Sequence, residues 1–261
     1  MNTVPISELR HFLETYVAEA QACLSHGKWW RKPLLVSAPI DDRFDALPHI
    51  AMDEHAHPHD LLKTAQSVIV FFIPFVRDLI KANRPGDRPC RNWGVAYVQT
   101  NDLINRSGQA MADFLEDKGY ACGLTPATHN FDEERLMARW SHKHLAHLSG
   151  LGRFGTHFMI ITPSGVCGRF GSLVTEADIG ENPLVTAEHT CLLKSGKPCG
   201  KCIERCPVGA LTADGFDRRK CWERLNENRD TLDYLSDLPA STHVCGKCAA
   251  MLPCSFSNPV K

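Results

Sequence analysis

Eight of the twelve cysteines of this 261-residue chain fall between Cys191 and Cys254, and their spacing limits what the segment can be. Cys199, Cys202 and Cys206 form C-x2-C-x3-C followed directly by Pro207, and Cys191 lies upstream of them. Cys221 follows, then the pair Cys245 and Cys248 with two residues between them, then Cys254. A reducing compartment argues against a disulfide framework of this density, and clustered cysteines in a long chain point to metal binding.

Bacterial two-cluster ferredoxins use a C-x2-C-x2-C-x3-C-P run whose last cysteine serves the other cluster. In this chain the first cysteine of the run stands upstream, at Cys191, and the C-x3-C-P end is intact. A cubane needs four soft thiolates converging from several directions. A C-x2-C pair grips neighbouring irons from one turn, and a proline turns the next cysteine elsewhere. Carrying over the ferredoxin exchange predicts two [4Fe-4S] clusters. One set is Cys191, Cys199, Cys202 and Cys254; the other is Cys206, Cys221, Cys245 and Cys248. The alternative is a four-thiolate zinc site made from two C-x2-C pairs, which leaves four cysteines of the segment without a purpose. Lys194, Lys197, Lys201, Arg205, Arg218, Arg219 and Lys220 either offset the charge of anionic clusters or form a solvated basic surface. Cys23, Cys90, Cys122 and Cys167 are scattered and read as small packing residues.

The rest of the chain is ordinary for a globular protein, with 43% hydrophobic and 23% charged residues. A formal net charge of -1 gives no global pull toward nucleic acid or an anionic membrane. The apolar run from Ser67 to Val76 is about half a membrane span and contains a proline, so it predicts a buried strand and no membrane partner. The N-terminus lacks the pattern of a secretory signal, and a cytoplasmic location is the default expectation. Ser7 to about His26 predicts a helix with Ser7 as its cap and Leu9, Phe12, Leu13 and Val17 as its apolar stripe. Residues 29–50 are punctuated by proline and predict irregular structure. Gln66 to Phe75 predicts a strand, residues 83–92 a loop, Trp93 to about Lys118 a helix stopped by Gly119, and Tyr120 to Ala127 a second strand. Asp132 to Ser149 predicts a helix closed by Gly150. Phe158 to Thr162 and Phe170 to Thr175 predict short strands on either side of a Pro-Ser-Gly turn. The expected organisation is an α/β or α+β domain over residues 1–185 and a cysteine-rich domain over residues 186–261.

Trp140 to Gly155 is the second informative stretch. Gly150, Gly152 and Gly155 follow a helix rather than a strand, so they are no dinucleotide fingerprint. They mark either a plain helix stop or a close approach to a flat ligand. This Ser-Gly-Leu-Gly-x-x-Gly stretch, the Trp-Ser-x-x-His before it and the cysteine pattern together resemble the superfamily of epoxyqueuosine reductases and reductive dehalogenases, closest to its short iron–sulfur members. The resemblance covers roughly residues 60 to 257. It implies an N-terminal nitroreductase-like sheet with flanking helices and a C-terminal ferredoxin-like domain with two clusters. It also implies cobalamin in the N-terminal domain, with Gly150, Leu151, Gly152 and Gly155 against the corrin. Electrons would come from a flavodoxin- or ferredoxin-type donor protein. The family's acidic proton donor lies in a Val-Asp-Thr-x-Pro-like segment that is missing here; Asp132 and His129 are the nearest candidates. Cys254 is followed by Ser255 rather than proline.

His55, His57 and His59 alternate beside Asp53 and Asp60, as a metal-binding or a solvated loop would. His144 and His147 share a helix face, and His144 is the further catalytic candidate. Three functions remain open on the sequence: a reductase with its own substrate, an electron carrier or reductive activator docking on another redox protein, and a tRNA-modifying enzyme of the epoxyqueuosine type. The net charge gives the last of these no support.

Overall fold

The computed structural model describes residues 4–25, 27–126 and 131–260. His129, one of the two proton-donor candidates, lies outside the described residues.

In chain order the elements are α1 (Ile6–Ala22), β1 (Leu34–Pro39), α2 (Leu47–Ile50), α3 (Pro58–Leu61), β2 (Ser67–Pro74), α4 (Arg77–Ala82) and α5 (Arg91–Glu116). Then come β3 (Cys122–Leu124), β4 (Phe131–Asp132), β5 (Met137–Ala138), α6 (His142–Leu148), β6 (Arg153–Phe154), β7 (Ile160–Ile161), β8 (Gly168–Thr175), α7 (Lys201–Glu204) and α8 (Arg218–Thr231). The chain divides into two compact units, both discontinuous. The first comprises residues 1–73, 101–152 and 168–186; the second comprises residues 74–100, 153–167 and 187–261.

The first unit is a mixed α/β structure around a four-stranded sheet in the order β1-β2-β8-β3. β1 pairs with β2 and β3 with β8, both antiparallel. Every residue of β2 is buried, as its unbroken apolar run predicts. β1 runs through the stretch expected to be irregular. Its register sets Val36 against Val70 and Leu35 against Phe71, so cross-strand packing outweighs the flanking prolines. α1 starts one residue before the predicted cap, with Pro5 at the N-cap and no side-chain cap, and it buries Leu9, Leu13 and Val17.

The helix predicted from Asp132 to Ser149 is mostly absent. Residues 131–138 form a small antiparallel hairpin, and only His142–Leu148 is helical. The Asp132 carboxylate accepts the backbone N–H groups of Glu134 (2.9 Å) and Arg135 (2.8 Å), and Leu136 adopts a left-handed φ of 57°. A short acidic side chain that captures its own backbone competes with helix formation. The end of that prediction holds: Gly150, at φ 73°, donates to the His147 carbonyl while Leu151 donates to that of Ala146, a Schellman stop.

In the second unit, β6 and β7 form a hairpin that sets Arg153 against Ile161 and Phe154 against Ile160. The cysteine segment is largely irregular backbone with two short helices. Cys202, Leu211 and Leu252 form its apolar centre, joined by Ile203, Phe216, Cys206, Cys248 and Cys254. Among the described residues, no helix is long and apolar enough to cross a membrane.

Candidate functional site

Several of the C-terminal thiols lie near one another, and Cys202, Cys206, Cys248 and Cys254 meet in one apolar cluster. Cys191, Cys199, Cys202 and Cys254 line one recess, together with His157, Ile161, Leu192, Lys201 and Leu252. Burial pushes the Cys254 thiol up to about 12, and the neighbouring Cys202, Cys191 and Cys199 push it further in the same direction. Cys202 is raised for the same reasons, by burial and then by Cys191 and Cys199. Burial drives Cys248 well above the ordinary thiol range, reinforced by Cys245, Cys221, Cys206 and Cys202. Cys245 is raised by burial and also senses Cys206. Among the described residues, no group of three or more His, Cys, Asp or Glu side chains is gathered around a single-ion site.

Donors aim at several of these sulfurs. Burial would raise Cys191, yet the backbone N–H groups of Lys194, Thr156 and Leu193 and the Thr156 hydroxyl hold its thiol below the usual range. Thr156 Oγ1 lies 3.5 Å from Cys191 Sγ. Ala210 N–H donates to Cys206 Sγ at 3.2 Å, and His157 Nε2 lies 3.5 Å from Cys254 Sγ.

The composition-defined loop of residues 83–92 borders Cys245. Asn83 is fully buried; its side chain donates to the Cys245 carbonyl (2.9 Å) and accepts the Cys90 N–H (2.9 Å). Lys247, between Cys245 and Cys248, is 1% exposed and donates to the carbonyls of Asn83 and Pro85, each at 2.8 Å. Burial lowers its pKa, against the opposing pull of Cys245 and Cys90. Arg224, also buried, pairs with Asp87 (2.9 Å) and Glu227 (3.0 Å). The basic residues named from the sequence are exposed except for the half-buried Arg205, and Lys247 and Arg224 were passed over. The available signal was a lysine inside a C-x2-C pair.

The other candidates have structural tasks. Asp132 caps the hairpin turn, and the Arg135 and Glu134 N–H groups hold its carboxyl below the usual range. His144 Nδ1 lies 2.8 Å from Ser141 Oγ at the start of α6. His57 caps α3, accepting the His59 N–H at 3.2 Å within a capping box completed by Asp60. His59 Nε2 lies 3.1 Å from the Ala65 carbonyl. His55 donates from Nδ1 to the Ala56 carbonyl and accepts the Ser141 N–H at Nε2, both at 2.8 Å. Its neighbour Trp140 donates to Ser172 Oγ (3.0 Å), which lies 2.7 Å from His142 Nδ1. Burial, then Arg169 and His55, push His142 down to about 4.

The four residues expected against a corrin are all buried. A side chain built on Gly150 would meet Pro183 at 2.5 Å, and the Gly150 carbonyl accepts the N–H groups of Leu184 and Val185. Leu151 is 0% exposed. The space beside Gly155 is filled by the His157 ring.

No family model matches the chain. Among curated proteins it is 23% identical over 232 residues to an epoxyqueuosine reductase of Listeria monocytogenes, covering 85% of the chain and 57% of that protein. It is 24% identical to the Bacillus subtilis epoxyqueuosine reductase over 218 residues, covering 77% of the chain and 50% of the relative. Among solved structures, an epoxyqueuosine reductase with an epoxyqueuosine-modified tRNA-Tyr stem loop superposes with a TM-score of 0.59 at 18% identity, over 96% of this chain and 66% of that one. A catabolic reductive dehalogenase in complex with 3-bromo-4-hydroxybenzoic acid gives 0.59 at 14% identity, over 87% of this chain and 30% of the other. The expected resemblance is thereby borne out, to epoxyqueuosine reductases in sequence and fold and to reductive dehalogenases in fold. The chain spans about half the length of the curated relatives it matches.

Proposed function

We propose that the chain is an iron–sulfur oxidoreductase of the epoxyqueuosine reductase type, with one [4Fe-4S] cluster on Cys191, Cys199, Cys202 and Cys254 and another on Cys206, Cys221, Cys245 and Cys248. The observation that supports the reading is that Cys191, Cys199, Cys202 and Cys254 line one recess, while Cys245, Cys221 and Cys206 are the thiols acting most on the buried Cys248. The residues present fit such groups: soft thiols lie close together, N–H groups point at sulfur, and the buried cations Lys247 and Arg224 act on Cys245. When bound, the clusters supply one-electron transfer at potentials set by charge, burial and hydrogen bonds to sulfur.

The chain's own contribution is to hold and tune. The N–H groups of Thr156, Leu193, Lys194 and Ala210 stabilise thiolate charge, as charge-assisted hydrogen bonds do. Lys247 and Arg224 offset charge at the second group, and the apolar packing of Leu211, Leu252 and Phe216 excludes water. On this reading the first unit corresponds to the nitroreductase-like sheet domain and the cysteine segment to the ferredoxin-like one, and an electron-donor protein of flavodoxin or ferredoxin type feeds the clusters.

Cobalamin is the cofactor that the relationship suggests for the first unit. Gly150, Leu151, Gly152 and Gly155 do not fit the part expected of them: residues that contact a ligand present surface when it is absent, and these four are covered by protein. This observation favours a second reading: an electron carrier or reductive activator without its own small-molecule substrate. A tRNA substrate is suggested by the neighbour bound to a tRNA stem loop.

The test is anaerobic purification with iron, sulfide and cobalt analysis and a visible spectrum. About eight irons per chain is expected for two cubanes. Colourless protein without sulfide overturns the proposal. Full iron with no cobalt after incubation with cobalamin selects the carrier reading.

A further inference from the structure

We infer that His157 is a positioning residue for the Cys191/Cys199/Cys202/Cys254 group, donating a hydrogen bond from Nε2 to the Cys254 sulfur and thereby raising the potential of the cluster held there. The inference rests on the two-cluster reading above. His157 is 5% exposed, and its Nδ1 accepts the Met159 N–H at 3.2 Å. A ring nitrogen that accepts carries no proton, and a neutral imidazole carries one. The proton is therefore on Nε2, 3.5 Å from Cys254 Sγ.

The surrounding backbone is shaped to hold that ring. Gly155 N–H donates to the Met159 carbonyl (2.9 Å) and Phe158 N–H to the Gly155 carbonyl (3.0 Å), closing a tight loop. Phe158 takes a left-handed φ of 58°, an uncommon conformation for a bulky residue that functional loops retain. A Cβ on Gly155 would lie 2.6 Å from His157 Cε1, so glycine at 155 makes room for the imidazole. Val166, just beyond the same hairpin, donates its N–H to the Cys254 carbonyl at 2.9 Å and fixes the backbone that carries the sulfur. Thr156, the preceding residue, reaches Cys191. Two consecutive side chains thus serve two thiols of one group. A donor to a cluster sulfur favours the reduced, more negative state, which is how hydrogen bonding sets such potentials.

The experiment is an EPR-monitored redox titration of the full chain, prepared anaerobically, with His157→Met (no donor) and His157→Gln (donor kept). In His157→Met, one of two midpoints is expected to fall by about tenfold in its reduction equilibrium, 59 mV for one electron, while the other stays. His157→Gln is expected to retain most of the wild-type value. Unmoved midpoints in His157→Met at full iron content overturn the inference and leave the two-cluster reading standing. Absence of any iron–sulfur signal from the wild-type chain overturns both. Should His157→Met fail to assemble, pulsed EPR of the reduced wild-type chain labelled with ¹⁵N-histidine decides: a ring-nitrogen coupling supports the hydrogen bond, and its absence refutes it.

Discussion

The Lys247 ammonium donates to the Asn83 carbonyl at 2.8 Å from a position 1% exposed to solvent. A lysine so deeply covered is uncommon, and here two carbonyls receive it.

Replacing Lys247 with Met is expected to leave the Asn83 and Pro85 carbonyls unpaired in the interior, at about 1–3 kcal/mol for each group so stranded. Denaturant titration of the variant would show the midpoint fall with little change in slope. An unchanged midpoint would mean the carbonyls find other partners.

Cys206→Ser or Cys221→Ser is expected to cost the chain one cluster, about four irons, while Cys23→Ser costs none. Cys23 is exposed and belongs to neither group. Iron and sulfide assays on anaerobic protein decide the matter, and equal losses from all three variants would count against the two-group assignment.

Gly150 and Gly119 both have positive φ, at 73° and 87°, but only Gly150 is crowded. Gly119→Ala meets nothing within 4 Å and is expected to cost about 1–2 kcal/mol, the left-handed backbone penalty alone. Gly150→Ala adds a clash with Pro183 and is expected to cost about 2–5 kcal/mol. Thermal unfolding of the pair would separate them, and equal losses would remove the packing account of Gly150.

His142, pushed down to about 4, makes a pH prediction. Its folded-state pKa lies below its unfolded one, so the unfolded chain takes up the proton first as pH falls. Stability should therefore decline between about pH 6.5 and 4, by up to about 3 kcal/mol from this residue. His55, also lowered by burial, acts in the same direction. Urea titrations across that window should show a shallower slope in His142→Gln; an unchanged slope would assign the loss to other groups.

Local signals made part of this molecule readable. The apolar run of β2 and the long amphipathic α5 both lie within about two residues of expectation. β1 was hidden because Pro33 and Pro39 disguise a strand whose paired residues lie 28 to 38 positions away. The Asp132 helix failed because one carboxylate has a better local use for two N–H groups. Cysteine spacing pointed to a shared site for Cys191, Cys199 and Cys202, and these line one recess with Cys254. The shell around them escaped notice: Asn83 meets Cys245 across 162 positions, and nothing in the 83–92 segment advertises that meeting. His157 escaped for a similar reason, its role depending on a sulfur 97 positions away.

The compact unit that contains the cysteine tail also includes residues 74–100 and 153–167. A gene fragment starting at residue 187 would therefore encode thiols without Asn83, Thr156, His157 or Val166. The tail is not a cassette that recombination could transplant by itself. A graft intended to carry these thiols to another scaffold must bring all three stretches of polypeptide.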